Sequence, residues 1–383
     1  MTRSSSQNER RGSARRATLS DISNRCNVSV GTASAVLAGK SRERRISEAV
    51  ALRIRQVAAE IDYAPNLLVR SMQRGRTHML SFFNGFRHCY RGNYYMDALN
   101  SAIQHACGTH GYDVVVYCDF SRSALETYRY LNGGRSDGLI FFTPQLDEPL
   151  LPYLRQSRLP VVLLNGEDPQ GALSSVRDDV EAGMRLAARR LLDLEHHRVA
   201  ILSAPGAFNP DAPIRAQLLR SILCQAGACC PGRWVIDTEF TSPLTIRRAL
   251  ESLLAEDEPP TALFCWQDLT GYLALEMCEE MGVDVPERMS IVGYDGLRWP
   301  ARTRHVLASV RVNLDAMGQA AVELLDRLIN EPAHQPVRTV IPVEFENGTT
   351  LGPAARIRAL SSTSGALAPC AANTQAPRKR QGS

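Results

Sequence analysis

Thr18-Leu-Ser-Asp-Ile-Ser-Asn-Arg-Cys-Asn-Val-Ser-Val-Gly-Thr-Ala-Ser-Ala-Val-Leu37 decides how this chain is organised. Thr18 and Asp21 have the spacing of a capping box, which opens a short helix with Leu19 and Ile22 turned inward. Cys26-Asn27-Val28 makes a tight break, because Asn27 tolerates a left-handed backbone. Ser29 caps a second short helix, Val30–Leu37, with Ala33, Val36 and Leu37 on one side. A polar, basic loop follows from Gly39 to Arg45. Ser47 then caps a third helix, in which Val50, Ile54, Val57 and Ile61 recur at intervals of 4, 3 and 4. The result is a three-helix unit of about 45 residues, its first two helices joined by a tight turn.

Outward from this unit the texture changes on both sides. Residues 1–17 are rich in Ser, Arg, Asn and Gln and read as a disordered basic arm. Residues 63–76 carry Tyr63-Ala-Pro-Asn66, the stretch Leu67–Gln73 and a basic stop at Arg74-Gly-Arg76. Pro65 suits a first helical turn. Helices below about 12–15 residues are marginal alone, so this segment should fold only against something else. From residue 77, short apolar runs alternate with helical patterns. The expected strands are Met79–Phe83, Asp113–Tyr117, Gly138–Phe142, Val161–Leu164, Val199–Leu202, Trp234–Thr238, Ala262–Cys265 and Ser290–Tyr294. Helical spacing lies between them in Asp97–Thr109, Val180–Leu194 and Leu269–Met281. That alternation predicts parallel sheets in an α/β body, and a break near Ser175–Asp178 divides it into two similar lobes with a cleft between. Residues 353–383 lack heptads and read as a disordered tail.

Composition narrows the function. The chain has 383 residues, enough for two or three domains, and 44% of them are hydrophobic, which excludes wholesale disorder. No apolar run reaches the roughly 18 residues of a membrane span, and the Arg-rich N-terminus lacks a secretory core. Ten cysteines include no C-x-x-C pair and sit mostly in apolar runs, so they read as core residues of a reduced, cytoplasmic chain. Residues 1–76 carry a net charge of +9 and residues 353–383 a net of +5, leaving the body at −10. A basic head on an acidic body suits an anionic polymer held at one end.

In this order, the parts resemble the LacI/GalR family of bacterial transcription regulators, from Thr18 to about Gly352. Thr18–Ile22 through Val28–Leu37 resembles the family's helix-turn-helix, and Tyr63-x-Pro65-Asn66 with Arg70 and Arg74-Gly-Arg76 resembles its hinge. Three body phrases add to this: Gly134–Ile140, Leu194–Ala200 and Val285–Asp295. The resemblance implies an all-α helix-turn-helix head at 18–62, a hinge helix at 63–76 and a periplasmic-binding-protein-like body at 77–352, crossed three times. Its first lobe would be 77–175 and 313–331, its second 178–312 and 338–352. The body would form a homodimer and place two heads on a pseudo-palindromic double-stranded operator.

The resemblance also assigns sites. The second helix of such a head enters the major groove, which puts Val30, Gly31, Ser34 and Ala35 nearest the bases and Ser29 and Thr32 toward phosphate, with Thr18 also among the DNA-binding residues. The family commonly has arginine where Ala35 stands, and a bidentate arginine–guanine pair discriminates by about 1–3 kcal/mol. Ala35 implies a different operator, or readout by thymine methyls and DNA deformability, or simply close helix approach. Asn66 and Arg70 belong to the hinge, and Met72 stands where the family wedges a leucine into a base step. For a sugar-like small-molecule effector in the cleft, the matching positions are Tyr94, Arg215, Trp266, Gln267 and Asp295. Trp266 also reads as core packing, and Asp295 as a turn.

No metal and no cofactor are expected: His196-His197 has no matching Cys/Asp/His set around it. Two rival readings fit less of the chain. Gly39-Lys40-Ser41 ends like a phosphate loop but lacks the earlier glycine, so an enzyme is disfavoured. A solute-binding protein for transport or chemosensing suits the body but leaves residues 18–76 without a use.

Overall fold

A computed structural model of the chain describes residues 17–65, 71, 75–85, 93–117, 121–142, 148–206, 209–239, 242–331 and 335–355. The chain divides into two compact units, 1–77 and 78–383. The expected arm, the tail beyond residue 355 and the hinge positions Asn66, Arg70 and Met72 lie outside the described residues.

The head consists of α1 (Leu19–Cys26), α2 (Val30–Leu37) and α3 (Glu48–Glu60). Thr18 and Asp21 complete the capping box, Thr18 N donating to Asp21 Oδ2 at 2.8 Å and Asp21 N to Thr18 Oγ1 at 3.4 Å. Asn27 adopts the left-handed backbone at φ 49°, which ends α1 and turns the chain into α2. Ile22, Cys26, Ala33, Val36, Ala51, Ile54 and Ala58 form the core, with Val50, Val57 and Ile61 packed beside it. Ser47 stands at the start of α3 but, contrary to expectation, its side chain makes no capping bond.

The body contains β1 (Met79–Asn84), α4 (Tyr94–Thr109), β2 (Asp113–Val116), α5 (Ala124–Leu131), β3 (Gly138–Phe142), α6 (Leu151–Leu154), β4 (Val161–Leu164) and β5 (Ser174–Asp178). It continues with α7 (Val180–Asp193), β6 (Val199–Ser203), α8 (Asp211–Gln225), β7 (Val235–Asp237), α9 (Pro243–Leu254), β8 (Ala262–Cys265), α10 (Asp268–Met281) and β9 (Ser290–Asp295). Last come β10 (Ala308–Val312), α11 (Leu314–Asn330), β11 (Arg338–Ile341) and β12 (Val343–Glu346). Two six-stranded sheets result, in the orders β11-β5-β4-β3-β1-β2 and β12-β10-β9-β8-β6-β7. Among the described residues every strand pairing is parallel except β10 with β12. Parallel strands are covered on both faces, which is why Gly138–Phe142 is apolar throughout: Ile140 and Phe142 join one core, Leu139 and Phe141 another.

The chain passes between the lobes three times, each time across one residue: Asp179, Asn313 and Pro342. Asp179 and Asn313 each cap the helix that follows, accepting from Ala182 N and Ala316 N. After the second passage α11 packs on α4 so closely that a Cβ at Gly318 would stand 2.8 Å from the Ala102 methyl. Two expected boundaries are corrected. Ser175–Asp178, read as a break, is most of β5, and Arg338–Ile341, given to the second lobe, pairs in parallel with it, Ile341 opposite Asp178. The second lobe regains the chain only at Val343. Trp234, expected to begin a strand, instead ends a 3-10 turn with its side chain buried. His196 is buried with Nδ1 2.9 Å from Thr261 Oγ1 and Nε2 2.9 Å from the Gly352 carbonyl, so both ring nitrogens serve the structure.

Candidate functional site

The head presents one helix face free of its own core. Ala33 and Val36 of α2 point inward, while Val30 is 45% exposed and Gly31 is exposed beside it. Thr32, Ser34 and Ala35 are half-buried on the same helix. The Ser29 hydroxyl accepts from Thr32 N at 3.0 Å and pairs with the Thr32 hydroxyl at 2.8 Å. The Thr18 hydroxyl likewise donates to Asp21 Oδ2 at 2.7 Å. Three of the expected DNA-contacting side chains are therefore hydrogen-bonded within caps. The long cationic side chains Lys40, Arg42, Arg44 and Arg45 are exposed on the loop after α2 rather than on the helix itself.

In the body, side chains from both lobes gather at the C-terminal ends of the parallel strands, the usual ligand edge of such sheets. Arg215, one turn into α8, is 3% exposed. Its Nη1 donates to the Trp266 carbonyl at 2.9 Å and lies 3.5 Å from Asp295 Oδ1, and its Nη2 lies 4.0 Å from Asp178 Oδ2. The guanidinium carbon sits 3.7 Å from the centroid of the Tyr294 ring, whose hydroxyl donates to Asp178. Asp178 ends β5 of the first lobe, so this bond joins the lobes. A second join is Asn165 after β4, whose Nδ2 donates to Asp211 Oδ2 on α8 at 2.8 Å. Asp295 holds φ at 113°, a backbone conformation that typically costs about 1–3 kcal/mol and persists where its surroundings impose it.

Three carboxylates, Asp178, Asp211 and Asp295, thus surround one guanidinium. Burial pushes the Asp295 carboxyl up to about 7; Arg215 opposes this, while Asp178 and Asp211 add to it. Burial likewise raises Asp211 to about 6, against the pull of Arg215. Burial works against the charge of Arg215, but Tyr294 and the three carboxylates outweigh it and raise its pKa above the ordinary arginine value. Bonding is incomplete here: among the described residues Arg215 Nε and Asp178 Oδ1 are buried without a partner, as are Trp266 Nε1 and Gln267 Nε2 nearby. A cluster with unpaired donors and acceptors can orient a ligand's hydroxyl or amine groups. Asp268, next in sequence, is different in kind. Its carboxylate accepts from the Ser309 hydroxyl at 2.6 Å and from Leu297 N, so it braces the loop after β9.

Of the effector positions expected from the sequence, Arg215, Asp295 and the Trp266 backbone come together. The Trp266 side chain packs with Ala204 and Ala212 in a small apolar cluster, in line with its core reading. Tyr94 lies edge-on to Trp299, ring centroids 4.7 Å apart, whereas its neighbour Tyr95 is the one whose pKa is raised by burial and by Asp295, Asp178 and Asp211. Asn165, Asp178, Asp211, Tyr294 and Trp299 are not singled out by the sequence. Asp211 carries a signal there, since it precedes Arg215 by four residues on one helix face. A separate pocket of about 460 Å³ lies by the end of α10, lined by Glu279, Glu287, Arg302, Arg304 and His305 among others, and includes none of the residues around Arg215.

A model of the bacterial regulatory proteins of the lacI family matches residues 18–66, and one of the periplasmic binding protein-like domain matches residues 168–351. The HTH-type transcriptional repressor PurR of Escherichia coli O139:H28 is 28% identical over 322 residues, covering 82% of this chain and 91% of the relative. A lac repressor dimer solved with operator and the anti-inducer ONPF superposes with a TM-score of 0.73 at 22% identity, over 88% of this chain and 99% of that one. A complex of the transcriptional regulator CelR with cellobiose does so at 0.60 and 24% identity, over 88% and 100%. Among the described residues no helix is long and apolar enough to cross a membrane. With its head matched by one model and its body by the other, this chain belongs to the LacI family of bacterial transcription regulators, and it works as a sequence-specific DNA-binding regulator, not as an enzyme.

Proposed function

We propose that this protein is a cytoplasmic repressor that holds a pseudo-palindromic operator as a homodimer and changes its grip when a sugar-like metabolite settles between the lobes. The observation that carries the effector reading is Arg215. It is buried at the strand ends against Asp178 and Asp295, where the two lobes meet, and among the described residues its Nε and one Asp178 oxygen have no partner. Arg215, Asp295 and Gln267 would bind the effector's polar groups, with Tyr94 and Trp266 beside them. Repressor names among the relatives and the cellobiose bound by CelR support the reading. On the DNA side, Thr18, Ser29, Val30, Gly31, Thr32, Ser34 and Ala35 would face the major groove and its phosphates. Asn66, Arg70 and Met72, outside the described residues, would make the minor-groove contacts.

The mechanism is linkage. An effector that binds one lobe arrangement better than the other shifts operator affinity by the difference, typically about 1–3 kcal/mol. The Asn165–Asp211 and Tyr294–Asp178 bonds are the joins such a shift would make or break. Titrating the full chain against DNA fragments from around its own gene, at two salt concentrations, tests the reading. A sequence-specific shift that weakens steeply with salt is expected, because phosphate contacts release counterions. No specific binding at either salt would overturn it and favour a solute-binding protein.

A further inference from the structure

Reading the operator requires α2 to discriminate bases, and its outer face is poorly equipped for hydrogen bonding. Val30, Gly31 and Ala35 have no polar side-chain atom. The Thr32 hydroxyl is paired with Ser29, which leaves Ser34 as the only α2 side chain whose hydroxyl has no partner among the described residues. The cationic side chains that could bind guanine are displaced to the loop at 40–45, beyond the helix end at Leu37.

Gly31 adds an independent observation. A Cβ built there meets only the Ser29 Oγ, at 3.7 Å, which is ordinary contact, and its φ is not in the left-handed range. The fold therefore has room for alanine at this position, and alanine is the more favourable residue inside a helix. What glycine provides is closer approach of the backbone to something outside the protein. Next to it, Val30 holds a branched apolar side chain 45% exposed at the helix start.

A major groove offers one apolar feature, the thymine C5-methyl group. We infer that the Val30, Gly31, Ser34 and Ala35 face reads its half-site by close apolar contact with thymine methyls, where a helix with long polar side chains would hydrogen-bond base edges. Val30 and the Ala35 methyl supply the contact, Gly31 lets the helix sit deep enough to make it, and Ser34 adds a single hydrogen bond. Arg42, Arg44 and Arg45 supply affinity through phosphate without choosing a sequence. The inference rests on α2 entering the major groove, as proposed above.

The test uses the wild-type full chain, so folding of a variant is not at issue. Sites are selected from a random duplex pool, and the preferred site is resynthesised with deoxyuracil in place of thymine, one position at a time. Each methyl lost under α2 should weaken binding about three- to fivefold, the size expected for one buried methyl group, with the salt dependence unchanged. Thymines outside the α2 footprint, replaced in the same way, provide the reference. In parallel, Ala35→Arg should shift selection toward guanine at one position of each half-site and abolish the deoxyuracil effect there. Unchanged affinity on deoxyuracil substitution, or selected half-sites without thymine under α2, would overturn the inference while leaving the regulator intact. A pool that enriches for no sequence would overturn the regulator reading itself.

Discussion

On α2 and at its caps every hydroxyl but that of Ser34 is committed inside the protein; around Arg215 several buried donors and acceptors are not, among the described residues. The hydroxyls of Thr18, Ser29 and Thr32 close caps and leave an outer face of small and apolar side chains. The cleft instead buries three carboxylates about one guanidinium and, among the described residues, leaves Arg215 Nε and an Asp178 oxygen without partners. One surface is suited to a partner recognised by fit, the other to a partner that brings hydrogen bonds. The energetics differ accordingly. Substitutions on the outer face of α2 should change binding while leaving the fold, whereas substitutions in the cleft should change stability, pH response and binding together.

Removing Arg215 should have the largest effect. Arg215→Ala strands three buried carboxylates, and losing one partner of a buried ion pair costs about 3–5 kcal/mol. Urea denaturation followed by tryptophan fluorescence reads the body alone, since Trp234, Trp266 and Trp299 all lie there. A loss under about 1 kcal/mol would mean that the charges are not coupled as described. In the head, Ile54 is fully buried, and Ile54→Ala should cost about 2–5 kcal/mol, most of what a unit this small possesses. Circular dichroism should then show early loss of helix while the tryptophan transition stays in place. A joint shift of both signals would contradict two separate units.

A pH series sharpens the contrast further. Folding raises the Asp211 carboxyl to about 6, so the folded state holds this proton more tightly than the unfolded one. Its contribution is fully favourable below the unfolded value of about 4 and is lost as pH rises through about 6. Asp211→Asn removes that loss and can still accept from Asn165. Its Tm relative to wild type should therefore climb by several degrees between about pH 5 and pH 7.5. A flat difference would place Asp211 in solvent. Capping gives the smallest effect: Ser29→Ala should cost the head about 1 kcal/mol and leave the tryptophan transition of the body unmoved.

Much of this is legible in the sequence because local chemistry settles it. Thr18 with Asp21, Asn27 and Ser29 specify caps and a turn through neighbours only, and the structure repeats them. Gly138–Phe142 and Ala262–Cys265 are readable as strands because burial on both faces demands unbroken apolar runs. Four strands escape such a reading. In β5, β10, β11 and β12, polar residues such as Arg177, Arg311, Arg338 and Glu344 interrupt the run, and only a neighbouring strand makes them strands. The cleft is half-legible for a related reason. Arg215 and Asp295 stand out by resemblance, but Asn165 and Asp178 matter because the lobes bring them against Asp211 and Tyr294, 46 and 116 residues away. No pattern within one segment records such a meeting.

Asn165→Asp tests the link between the two regions most directly. It keeps a residue type tolerant of the left-handed backbone at φ 56° and, measured at a pH well above the raised Asp211 value of about 6, replaces the hydrogen bond between the lobes with repulsion between two carboxylates. The head is unaltered, so the salt dependence of DNA binding should be unchanged. If the lobes control the heads, operator affinity should change by at least about fivefold, the lower end of ordinary allosteric coupling. Identical operator affinity in a folded variant would contradict the account, and would leave the cleft as a site that does not speak to DNA.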